Sequence, residues 1–111
     1  MDRLDEYRGF IQKILDSYAQ IPYQYGEIKS SVIVDREQNN FLLMHEGWEG
    51  AKRIHDCIVH VEIRDGKIWI QQDGIETGIT AELVELGVPK YLIVLGFHPY
   101  HVRQHTGYAI A

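Results

Sequence analysis

RIHDCIVHVEIRDGKIWIQQ, residues 53–72, decides the fold. Asp65-Gly66 lies between two runs rich in Val and Ile, the strongest short-range signal for a two-residue hairpin turn with positive φ at both central residues. That turn sets the register by placing Arg64 opposite Lys67. Ile63 with Ile68 and Val61 with Ile70 then share one face, while Glu62 with Trp69 and His60 with Gln71 share the other, because side chains alternate along a strand. A slip of one residue would send Val61, Ile63, Ile68 and Ile70 into water, so the pattern specifies the pairing.

Working outward, residues 30–34 are β-branched and read as a strand, residues 35–40 form a polar loop, and residues 41–46 read as the next strand. Gly47 and Gly50 bracket Trp48, which is expected to fold back onto the core as a loop anchor. Residues 2–20 carry Leu4, Tyr7, Ile11, Ile14, Leu15 and Tyr18 at three- and four-residue steps, the stripe of a helix docked on one side, with Asp2 as cap and Pro22 as stop. Tyr18, Tyr23 and Tyr25 cluster at its exit, either as rim packing or as a stacking platform. A second helix is expected from Ile79, capped by Thr77 or Thr80 and ended by Gly87, with Pro89 beyond. Residues 91–97 read as a last strand or a buried extended segment, and the apolar residues 107–111 as a docked tail. These elements make one α+β domain over residues 1–111. Its architecture is an antiparallel meander of four to five strands, with the N-terminal and second helices covering one face.

The 111 residues suffice for a core without disulfides or a structural metal. The single Cys57 falls on the inward parity of its strand, where a thiol acts as an inert small hydrophobe. Residues 1–7 are charged, and no apolar run approaches the roughly 18 residues of a membrane span, so a cytoplasmic location is expected. The net charge of -5 opposes a broad nucleic-acid footprint, yet every Asp and Glu lies at or before Glu85. The tail beyond carries Lys90, Arg103 and three histidines.

His98, His101 and His105 have a spacing that would suit zinc on a helix, but Pro99 interrupts it and no Cys is near. His45, His55 and His60 lie close in sequence to Asp56 and Glu62, the raw material of acid–base chemistry, without a nucleophile motif or paired acids. No glycine-rich phosphate loop is present. No catalytic residue, metal or cofactor is therefore assigned. Two surfaces remain. His60, Glu62, Arg64, Lys67, Trp69 and Gln71 form a mixed, aromatic-bearing sheet face suited to a protein partner. Lys90, His98, Tyr100, His101, Arg103 and His105 form a mildly basic tail that could contact nucleic acid.

Several blocks in order resemble the XisI family: residues 4–8 (LDEYR) with 18–23 (YAQIPY), 67–74 (KIWIQQDG), 82–89 (ELVELGVP), 93–99 (IVLGFHP) and 106–111 (TGYAIA). The resemblance implies a factor controlling excision of the fdxN element, a DNA segment removed by programmed site-specific recombination in nitrogen-fixing filamentous cyanobacteria. It implies that the recombination chemistry belongs to a separate recombinase, and that the partner is an XisH-like protein. It carries over no catalytic residue. Contact with the recombinase complex, direct contact with nucleic acid and self-association stay open.

Overall fold

Asp65 and Gly66 adopt φ of 52° and 76°, the two left-handed residues that the hairpin turn demands. The computed structural model describes residues 3–21 and 27–111. The expected cap at Asp2, the stop at Pro22, and Tyr23 and Tyr25 lie outside the described residues. From the turn outward the chain builds α1 (Arg3–Ala19), β1 (Glu27–Val34), β2 (Asn40–Glu49), β3 (Lys52–Arg64), β4 (Lys67–Asp73), α2 (Ile79–Glu85), a 3-10 turn (Lys90–Leu92), β5 (Ile93–Leu95) and α3 (Tyr100–Arg103). The five strands lie side by side in chain order. The first four pair antiparallel as expected, whereas β5 runs parallel to β4. The sheet is mixed because α2 carries the chain back across it, the crossover that a parallel neighbour needs.

Both long helices cover the same face, which we call the inner one. Tyr7, Ile11, Ile14 and Leu15 of α1 are buried with Ile79 and Leu83 of α2. They meet Phe41, Leu43, Val59, Val61, Ile68 and Ile70 from the sheet, all essentially inaccessible. Burying each such side chain is worth about 1.5–3 kcal/mol, so this layer holds the fold. Arg8 ties α1 to the β1–β2 loop, donating to the Gln38 carbonyl at 2.9 Å and the Asn39 side chain at 2.9 Å. In that loop the Asp35 carboxylate accepts the main-chain N–H groups of Asn39 and Asn40 at 2.7 and 2.8 Å.

Two irregularities in the sheet alter what simple alternation predicts. Leu43 pairs with Val59 but Met44 pairs with Cys57, so Ile58 is an extra residue on β3. The bulge moves Cys57 beside Met44 on the outer face, not in line with Val59, and turns Ile58 toward the helices. On β4 the pairing steps from Val61–Ile70 to His60–Gln72, which leaves Gln71 as the extra residue in place of the expected His60–Gln71 pair.

The second helix begins where expected, but neither Thr77 nor Thr80 caps it. Gly78 occupies the N-cap with no side-chain bond. Asp73, at the end of β4, instead accepts the N–H of Ile75 at 3.4 Å and of Ile79 at 3.0 Å. The tail docks, since Ala109 donates to the Ile93 carbonyl at 2.8 Å and forms a parallel bridge with Val94.

Candidate interaction surface

Alternation sends one residue in two of every strand to the face opposite the helices. Across β4 and β3 this outer face gathers Trp69 and Glu62, then Lys67 and Arg64, in the register the turn imposes. The six residues expected at a partner surface lie together here. Arg64 donates to Glu62 at 2.7 Å, and Gln71, freed by its bulge, donates to the same carboxylate oxygen at 3.0 Å. His60 bonds the Asn40 side chain at 3.0 Å. The guanidinium of Arg64 lies 4.7 Å from the centre of the Trp69 ring.

Of the second set of expected residues, Arg103 reaches the same place and the others do not. Arg103, on α3, stands 5.2 Å from the Trp69 ring. It also donates through Nε to the His98 carbonyl at 2.9 Å and through Nη1 to the Ile110 carbonyl at 3.2 Å. Its role in the chain is thus to clamp the tail onto the sheet. Lys90 sits 5.5 Å from the Tyr108 ring, and His98 packs on Phe97 with centroids 4.5 Å apart. Tyr100, His101 and His105 are exposed, with Tyr100 62 % accessible.

The β1–β2 half of the outer face is open. Ile33 is 51 % accessible, and beside it lie Leu42, opposite Ile33, and Met44, opposite Cys57. Trp48 was expected to fold inward as an anchor. It does not, because β2 keeps pairing with β3 as far as Glu49 and Lys52, and alternation turns the indole outward at 48 % accessibility. Arg53 covers it at 5.4 Å while bonding Glu46 at 3.2 Å. Gly47 permits this run: its φ is 150°, and a Cβ there would meet the Glu27 carbonyl of β1. This apolar band was missed in the sequence, although Ile33, Leu42 and Met44 share a parity once the β1–β2 register is known.

The sheet histidines do not converge. His45 faces the helices in an open cavity of about 380 Å³ with Tyr18, Ile58 and Thr77, while His55 and His60 are on the outer face. Burial pushes the His45 imidazole below its ordinary pKa, against the upward pull of Asp56 across the strand pair. Burial likewise pushes the Cys57 thiol up, away from the thiolate that reactivity requires. Among the described residues no three His, Cys, Asp or Glu are grouped to hold a metal ion. No described helix is long and apolar enough to cross a membrane. The geometry offers aromatic and cationic contact on a sheet face.

Comparison with known proteins agrees with this architecture. A XisI-like protein from Anabaena variabilis ATCC 29413 superimposes with a TM-score of 0.87 at 38% identity, over 97% of this chain and 99% of that one. The fdxN element excision controlling factor XisI from the same organism superimposes with a TM-score of 0.84 at 34% identity, over 99% of this chain and 100% of its own. No curated protein matches the chain. The family model described as XisI protein matches residues 1–110, and the chain therefore belongs to the XisI family.

Proposed function

We propose that this chain is a non-catalytic accessory factor controlling excision of a DNA element by a separate site-specific recombinase, and that it acts by docking an XisH-like protein. One observation carries the reading: end-to-end similarity, at 34% identity, to an fdxN element excision controlling factor. The outer face supports it. A half-buried tryptophan in a field of mixed charge, on the same sheet face as an apolar band, has the composition of a protein interface, in which aromatic residues and Arg are enriched. The histidines are dispersed over two faces, which gives acid–base chemistry no shared centre.

Co-expression with the XisH-like neighbour, followed by size exclusion with light scattering, tests the reading. A defined complex is expected, disrupted by Trp69→Ala or Arg64→Glu in variants whose thermal melts remain cooperative. Separate elution of the two chains, or a complex indifferent to both changes, overturns it.

A further inference from the structure

We infer that the Trp69 end of the outer face receives a short acidic segment of the protein partner, an inference that rests on the partner-docking reading above. Three cations meet there. Arg64 and Arg103 approach the same indole at 4.7 and 5.2 Å, and Lys67 lies opposite Arg64 on the same face. One carboxylate, Glu62, answers them, and it is already engaged by Arg64 and Gln71. Among the described residues neither Lys67 nor Arg103 forms an ion pair. Arg103 is held in place by two main-chain carbonyls, which fix the position of its charge without neutralising it. A guanidinium whose geometry is set in advance loses little freedom when it meets a carboxylate.

The cationic character is local. All acidic residues of the chain lie at or before Glu85, and the segment that brings Arg103 to Trp69 contains none. The whole chain nevertheless carries a net charge of -5. A duplex presents a phosphate about every 1.7 Å along its axis and would run off this spot onto acidic surface. A short acidic peptide would not. Phe97 and Tyr100, 47 % and 62 % accessible on the same segment, offer apolar contacts to side chains between the acids.

The chain contains two tryptophans, so in a Trp48→Phe background the emission reports on Trp69. Titration of that full-length protein with octaglutamate should give a saturable emission change that weakens with added salt, while octalysine gives none. The double change Arg64→Gln with Lys67→Gln, at surface positions that leave Arg103 and the tail in place, should weaken binding by about threefold to tenfold. Arg36→Gln, in the exposed β1–β2 loop, should leave it unchanged. No saturable change, indifference to the double variant, or tighter binding of a short DNA duplex than of octaglutamate overturns the inference. With the XisH-like protein, a complex broken by Trp69→Ala yet indifferent to salt and to the double variant overturns the inference alone. Absence of any complex overturns the docking reading and the inference with it.

Discussion

The two halves of the outer face are built from the same sheet and treated oppositely. Over β4 and β5 the chain covers itself. Val94, which alternation points away from the helices, is fully buried and bridged to Ala109 of the returning tail, and Trp69 is half-buried between two arginines. Over β1 and β2 nothing in the described chain returns, and Ile33 and Trp48 are left about half accessible. The difference teaches that position on a sheet face does not decide burial. What decides it is whether a later segment comes back over that position, and here the last residues return over one half only.

The sharpest way to break the comparison is to place the same charge on each half. Val94→Asp should cost about 3–5 kcal/mol in urea unfolding, because it would put a carboxylate at a fully buried position. Ile33→Asp, in open solvent, should stay within about 0.5 kcal/mol of the parent. Equal costs at the two positions would show that the halves are alike. Next in size is Arg103→Gln, which removes the donors to the His98 and Ile110 carbonyls and should cost about 1–3 kcal/mol. It should also increase hydrogen exchange at Ala109, whose N–H binds β5. Trp48→Ala on the open half should lower the unfolding free energy by less than about 1 kcal/mol, since its ring is already shared with solvent.

The smallest effect concerns the loop that borders the open half. Hydrogen bonds from the main chain of Asn40, and then of Asn39, hold the Asp35 carboxyl below the ordinary aspartate range despite some desolvation. A carboxyl with a lowered folded pKa contributes stability above its unfolded value and loses it as the pH falls through the folded one. Below about pH 4, where free aspartate protonates, the parent should therefore lose part of its margin over Asp35→Asn. Parallel stability curves for the two proteins in acid would refute this.

The sequence made the central hairpin legible because three signals agreed on it: the Asp-Gly turn, the β-branched runs and the alternation they flank. The stripe of α1 was legible for a similar reason, since a helix docked on one side writes its period into the chain. The bulges at Ile58 and Gln71 were not legible. Each adds one residue without a composition mark, yet each shifts the register beyond it, so the face of Cys57 and the cross-strand pairing of Gln71 were misread. The cap of α2 was misassigned because Asp73 lies in the preceding strand and reaches the helix only after the chain turns. Of the candidate surface, the Arg64–Trp69 end followed from the hairpin register alone. Its meeting with Arg103 depends on β5 running parallel, which no local pattern announced.

The parallel fifth strand also orders events in time. Strands β1 to β4 are joined by short turns and can zip from neighbour to neighbour as the chain emerges. By contrast, β5 must wait for α2 to swing across the sheet, and the bridge from Val94 must wait for Ala109, which follows it by more than a dozen residues. A nascent chain can thus present its open β1–β2 face before the Trp69 surface exists. The clamp that unites Arg103 with Trp69 closes only once Ile110 is in place, so a product cut short before α3 would lack Arg103 at the cationic end while keeping the apolar one.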